Sequence, residues 1–242
     1  MARFENRKNN ELRKLTIETN VNIHAEGSCI ISFGNTKVLC TASISNKVPP
    51  FVKGTGSGWI TSEYGMLPRS TVDRMDREST RGKVGGRTHE IQRLIGRSLR
   101  SVVDLKLLGE KQVKIDCDVL QADGGTRVAS ISGAYVALFL SMQGLLKSGA
   151  ITEMPIIEEL GAVSCGVLNG VPLLDLDYLE DSSAEADSNF AITGSGKIIE
   201  MQISSEKKAI SRDVTNQLLD LAEVGIAQII SAQRKAIMGS NS

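Results

Sequence analysis

The stretch QVKIDCDVLQADGGTRVASISGAYVALFL, residues 112–140, changes its period halfway along. Val113, Ile115, Cys117 and Val119 alternate with polar neighbours, which is the two-residue repeat of a strand with one buried face. Further on, Ile131, Ala134, Tyr135, Leu138, Met142 and Leu145 keep helical spacing instead. The strand therefore runs into a helix across Asp123, Gly124, Gly125, Thr126 and Arg127. Two glycines at such a corner let the backbone come close to a ligand, and the unpaired amides of a helix start point outward. The hydroxyl of Thr126 and the planar fork of Arg127 suit an oxyanion better than a carbon skeleton. A plain helix cap beside an incidental arginine fits the same residues, and GGTR matches neither the phosphate-loop pattern nor the dinucleotide fingerprint.

Working outward, GSCIISFGNTKVLCTASIS (27–45) predicts a hairpin turning at Gly34 and Asn35. Residues 46–87 are rich in Gly, Pro, Ser and Arg and predict one long irregular connection, a type of segment that is usually functional or mobile. Ile91, Leu94, Ile95, Val102 and Leu105 predict a helix over 90–108, with Arg93, Arg97 and Arg100 on another face. Hairpins follow around Asn169–Gly170 and around Gly194–Gly196, and a helix closes the chain over 212–238. Each half thus supplies strand pairs and then a long helix, with no separable linker between them. The expected fold class is α+β, a single domain over 1–242 with mixed sheets packed on long helices.

A chain of 242 residues with 41% hydrophobic and 23% charged residues buries a real core, which removes disordered and collagen-like readings. Cys29, Cys40, Cys117 and Cys165 are widely spaced, mostly within apolar runs, and form no CxxC pair. They read as small core residues of a reducing compartment, and a disulfide framework or zinc site is not expected. MARFENRKNNELRK lacks the apolar core of a signal peptide, and the most apolar helix, around 134–146, reads as too short to span a bilayer. A cytoplasmic protein without a membrane partner is the expectation.

Twenty-eight basic residues cancel 28 acidic ones, yet the charges segregate along the chain. Residues 69–100 hold nine Lys and Arg against four acids, whereas 150–191 hold nine acids and no Lys or Arg. This suggests a basic surface tracking a polyanion beside a carboxylate-rich segment able to hold a divalent cation. In the acidic segment Asp175 and Asp177 alternate along a presumed strand, with Asp181 and Asp187 in the turn-like stretch beyond. Magnesium takes few protein carboxylates and keeps water or phosphate elsewhere, so two converging aspartates suffice; a solvated acidic loop is the alternative. In the basic segment Arg69, Arg74, Arg77, Arg81 and Arg87 lie in glycine-rich surroundings where guanidinium groups can grip successive phosphates. Phe51, Trp59 and Tyr64 sit in the long connection 46–87, either to stack on bases or to anchor it. The two histidines, His24 and His89, have neither zinc spacing nor an evident nucleophile partner, which sets a hydrolase triad aside.

Taken together, HAEGS (24–28), FGNTKVLCTA (33–42), GSGWITSEYGMLPRST (56–71), RGKVGGRTHEIQRLIGRSLR (81–100), DCDVLQADGGTRVASISGA (116–134) and DLDYLEDSSAEAD (175–187) resemble the ribonuclease PH family. These are phosphate-dependent exoribonucleases that trim transfer RNA precursors at the 3′ end. The resemblance implies a domain of two related β-α-β halves, residues 46–87 facing RNA, and a homohexamer built as a trimer of dimers. It also implies roles: Arg87 with Gly125, Thr126 and Arg127 on inorganic phosphate, Asp181 and Asp187 on Mg2+ and in catalysis with Arg127, and Arg69, Arg74 and Arg77 on transfer RNA. One segment departs from the family pattern. After IIEMQ the chain reads ISSEKKAISRD, where a glycine-rich stretch with Pro and Phe is expected, so residues 203–211 are expected to be arranged differently. A non-catalytic RNA-binding ring subunit is the alternative reading; it would lack the phosphate clamp or the aspartates, and this chain has both.

Overall fold

The computed structural model describes Arg3 and residues 6–240, with the side chains of Ser79 and Arg81 outside the described residues. The alternating segments of the first half become β1 (Leu15–Thr19), β2 (Gly27–Phe33), β3 (Thr36–Ser45), β4 (Trp59–Met66) and β5 (Gln112–Gln121). They form one sheet in the order β1-β2-β3-β5-β4. All neighbours are antiparallel except β4 and β5, which run parallel. A parallel pair needs a crossover, supplied here by α1 (Gly86–Arg100) and the short α2 (Leu105–Leu108). The second half folds as an antiparallel sheet, β7-β6-β8-β9, from β6 (Leu160–Leu168), β7 (Val171–Leu174), β8 (Ala186–Thr193) and β9 (Ile198–Ser205). A six-residue α4 (Tyr178–Ser183) links β7 to β8, and α5 (Arg212–Gly239) packs on β6, β7 and β1.

The helix that begins at the glycine corner, α3 (Thr126–Lys147), packs on β2, β3 and β5 of the first sheet and on β6 and β8 of the second. Being enclosed on both sides explains why its residues are apolar nearly all round rather than along one stripe. The helix starts eight residues earlier than the apolar run 134–146 indicates; at 22 residues it has the length and hydropathy of a membrane span, but 78% of that window is buried inside the fold. Approach to the sheet is close enough to demand glycine. A Cβ on Gly27 would sit 2.0 Å from the Ala137 carbonyl oxygen, and one on Gly133 would sit 2.7 Å from Cys40 Sγ. Cys29, Cys40 and Cys117 are register partners across β2, β3 and β5 and form a row beneath the helix, donating to the carbonyls of Gly133 and Ser130. Hydrogen bonds among the thiols, together with burial, hold Cys40 well above the usual thiol range, as befits inert core residues. On the other side Ser132 of α3 accepts from the Ala162 amide at 3.0 Å, and Gln233 of α5 donates to the Leu160 carbonyl at 3.0 Å, which closes the part of the β6 edge that β7 leaves uncovered.

Four expectations change. The region 46–87 is not one irregular connection, because Trp59–Met66 is strand β4; Ile60, Ser62 and Tyr64 point inward, and the Gly and Arg residues flanking it hide that short alternation. The helix expected over 90–108 stops at Arg100 and resumes only at Leu105, where Asp104 caps it. Strand β1 is unforeseen, since its five residues are only half buried. The presumed strand through Asp175 and Asp177 ends at Leu174: Asp175 adopts a positive φ of 54°, and Asp177 caps α4 through a capping box with Glu180.

Both of those aspartates belong to a buried ionic latch. Arg13 donates to Asp175 through Nε at 3.0 Å and Nη2 at 2.7 Å, and Arg3 Nε reaches Glu180 Oε1 at 2.7 Å. Arg7 lies 3.2 Å from Glu180 and 3.8 Å from Asp177. Burial alone would raise the Glu180 pKa, but the Arg3 hydrogen bond and the neighbouring arginine charges hold it below the usual carboxylate range. A depressed folded-state pKa stabilises above the ordinary value and loses that contribution as pH falls through the folded one. Glu180→Ala should therefore cost about 3 kcal/mol, the scale of removing one partner from a buried ion pair. Urea unfolding at pH 7 measures this, and the gap to wild type should narrow once the pH drops below 4.5.

Candidate active site

Where α1 and α3 begin, a cleft of about 450 Å³ opens between the two halves of the fold. Arg87 enters from the first turn of α1, Gly125, Thr126 and Arg127 from the corner into α3, Asp181 from α4 and Asp187 from β8. All six residues expected at the phosphate and metal sites line this one space, although they are scattered over 100 positions.

The corner has the conformation that its glycines permit. Gly124 has φ 78° and Gly125 φ 67°, both in the left-handed region. A Cβ on Gly124 would lie 2.5 Å from the Leu176 carbonyl oxygen, so the corner also presses on the segment leading into α4. The N-cap residue, Gly125, has no side chain with which to cap α3, so the first amides of the helix are available to a ligand. The Thr126 hydroxyl is 2.9 Å from that of Tyr64, whose own pKa burial raises. Tyr64 is thus buried on β4 as a support for Thr126 and cannot stack on bases. Trp59 is likewise an anchor: Arg100 lies 4.5 Å over its ring and Phe51 meets it edge-on at 5.0 Å.

Arginine at a helix start opposes the helix dipole, and neither α1 nor α3 carries an acid in its first turn. Arg87 and Arg127 nevertheless occupy both starts and face the same cleft. The Arg127 pKa is lowered, first by burial and then by the charge of Arg87, against the opposing pull of Glu90 and Asp187. Two guanidinium groups facing one cleft beside helix-start amides are suited to a multivalent anion. Arg127 is aimed by residues that sequence reasoning missed. Its Nη1 donates to Gln202 Oε1 on β9 at 2.8 Å, and Glu90 lies 4.0 Å away. Gln202 immediately precedes the atypical 203–211 segment, and its only sequence signal was its position at the end of the IIEMQ motif.

The carboxylates divide into two kinds. Asp175 and Asp177 are consumed by the latch and the α4 cap, which removes them as cation ligands. Asp181 and Asp187 face the cleft, and burial followed by the Asp187 charge raises the Asp181 pKa, with Arg87 and Arg127 opposing. Asp123 accepts from Asn35 and from the Tyr178 amide, and its carbonyl accepts from Arg13. Of the arginines assigned to RNA, only Arg74 lines the cleft, 3.6 Å from Asp76. Arg69 turns back to the Val72 carbonyl at 2.9 Å, and Arg77 is exposed near enough to Asp118 to oppose the rise that burial imposes on that carboxyl.

Residues 11–142 match the family model described as 3′ exoribonuclease family, domain 1, and residues 159–225 match domain 2 of the same family. The chain belongs to the 3′ exoribonuclease family. Among its relatives, proteins named ribonuclease PH are 58% identical in Cereibacter sphaeroides, covering 96% of this chain and 98% of theirs, and 57% identical in Roseobacter denitrificans, covering 94% and 96%. Caulobacter vibrioides has one at 58% identity, covering 95% and 96%. Two solved structures share the fold at low identity. Rice Rrp46 gives a TM-score of 0.77 at 18% identity, covering 96% of this chain and 99% of that one. A chain of the Archaeoglobus fulgidus exosome with RNA bound to the active site gives 0.76 at 21%, covering 93% and 90%.

Because Gln202 holds Arg127 by a single charge-assisted hydrogen bond, Gln202→Ala should weaken inorganic phosphate binding about tenfold, on the scale of about 1.5 kcal/mol for such a bond. Calorimetric titration with phosphate checks this, and the thermal unfolding midpoint should stay put because Gln202 is only partly buried.

Proposed function

We propose that this cleft is the phosphorolytic centre of a 3′–5′ exoribonuclease, with inorganic phosphate held by Arg87, Thr126, Arg127 and the amides around Gly125. The observation that carries the reading is that Arg87 and Arg127, each at a helix start, face one cleft, where a doubly charged anion can engage both. The near-full-length identity to proteins named ribonuclease PH supports the same reaction. A phosphate oxygen attacks the phosphorus of the last phosphodiester, and the bond to the 3′ oxygen of the preceding nucleotide breaks. That oxygen leaves with a proton as the new RNA end, and the released nucleotide departs as a nucleoside diphosphate. One phosphate linkage replaces another, so the reaction is reversible. The contribution of the protein is alignment and fixed positive charge, with no covalent intermediate.

Magnesium fits the remaining pair. Asp181 and Asp187 are close enough for the charge of one to raise the pKa of the other, and Mg2+ characteristically takes one or two carboxylates plus substrate phosphate oxygens. Bound there, the ion would neutralise charge on the phosphoryl oxygens. Without it, Asp181 and Asp187 repel an incoming phosphodiester. The preferred substrate in this reading is the 3′ end of a transfer RNA precursor, gripped by exposed Arg69, Arg74 and Arg77 on the segment between β4 and α1, and the assembly is a homohexamer, a trimer of dimers. The support is the basic charge of residues 69–100 and the identity to the relatives named above.

Incubation of a transfer RNA carrying extra 3′ nucleotides, with and without inorganic phosphate, tests the reaction: nucleoside diphosphates should appear only with phosphate. Arg127→Ala should lower phosphate-dependent turnover by at least a hundredfold while sparing RNA binding, the scale of losing one preorganised charge stabiliser; turnover that stays equal at low and saturating phosphate would remove Arg127 from the clamp. Asp187→Asn should keep the assembly intact in light scattering and abolish the response of the rate to magnesium. Monophosphate products would refute the proposal.

A further inference from the structure

The cleft is larger than an anion site needs, and part of its lining is apolar and exposed. Tyr178 lines it with 59% of its surface open, and Val72, on the segment between β4 and α1, lines it at 88%. An exposed aromatic ring inside a cleft beside charged groups offers a ligand base a face to stack on. Tyr178 is also firmly placed. It is the first residue of α4, its amide donates to Asp123 Oδ1 at 3.3 Å, and the Asp177–Glu180 capping box encloses it. The arginine latch then fixes that box, since Arg3 and Arg7 both hold Glu180. Tyr178 and Asp181 stand three residues apart on one helix, so their side chains are neighbours roughly 5–6 Å apart at Cβ. Tyr178 and the carboxylate-bearing Asp181 therefore project from successive turns of α4 into the same cleft.

We infer that Tyr178 is the stacking platform for the 3′-terminal base of the RNA, with Val72 as a further apolar contact in the same cleft. The inference rests on the cleft being the phosphorolysis site. Stacking on a ring holds the terminal nucleotide while its phosphodiester is aligned, and every base offers a π-face, so the platform accepts all four. A sequence-tolerant hold of this type suits an enzyme that removes successive nucleotides of differing identity. Tyr178 positions the substrate and takes no part in proton or phosphoryl transfer.

The test is steady-state phosphorolysis of a short 3′-extended RNA by wild type, Tyr178→Ala, Tyr178→Phe and Arg127→Ala, with the KM for RNA and for phosphate measured separately. Tyr178→Ala should raise the RNA KM about tenfold, within the span of base stacking on an aromatic ring. The phosphate KM and the unfolding midpoint should be unchanged, and Tyr178→Phe should behave as wild type. In Tyr178→Trp, the emission of the introduced tryptophan should be quenched when a nucleoside diphosphate is added, compared with the wild-type signal from Trp59. An unchanged RNA KM in Tyr178→Ala, or a phosphate KM rising by the same factor, would overturn the platform. Failure of the underlying reading looks different: Arg127→Ala would then leave the phosphate KM where it was.

Discussion

Everything in this molecule depends on how closely α3 can lie against the first sheet. Gly27 and Gly133 have no room for a methyl group, and the thiols of Cys29, Cys40 and Cys117 fill the shallow trough that remains. A helix seated so deeply leaves its far side free to receive β6 and β8, so one buried element joins the two halves. Its start is then fixed to within the tolerance of the packing, and that start is the floor of the cleft. The tight packing of α3 and the cleft at its start thus share one helix.

The second half contributes by proximity. Gly124 leaves no space for a Cβ against the Leu176 carbonyl, so the corner and the approach to α4 set each other's position. Asp181 and Asp187 thereby face Arg87 and Arg127 across a single cleft, and the opposite charges temper one another: the acids pull on Arg127 while the arginines limit the rise on Asp181. This balance leaves a cleft that is cationic at the two helix starts and carboxylate-lined along α4 and β8.

Long periodic elements were legible in the sequence because their burial follows the period. The β2–β3, β6–β7 and β8–β9 hairpins and α5 are where alternation and helical spacing place them. Strand β4 was hidden because eight residues sit among glycines and arginines, and β1 because one of its faces is open to solvent. The clamp residues were readable as candidates, since glycine, hydroxyl and guanidinium at a helix start have few other uses. Their supports were not: Tyr64, Gln202 and Glu90 come from three other elements, and nothing in one dimension reports a 2.8 Å contact over 75 positions. The assignment of Asp175 to a strand failed for the opposite reason, because its alternation was real but Arg13 claims the carboxylate.

The latch has a consequence for synthesis on the ribosome. Arg3 and Glu180 are 177 residues apart, and α4 is seated by the arginines that precede β1. Those arginines are translated early and must wait, unpaired, until nearly three-quarters of the chain has followed. Until then Asp181 has no fixed position, and the cleft lacks one of its walls. The wall of the cleft that carries Asp181 is thus tied to residues at both ends of a 177-residue span, and its assembly is a late event of synthesis.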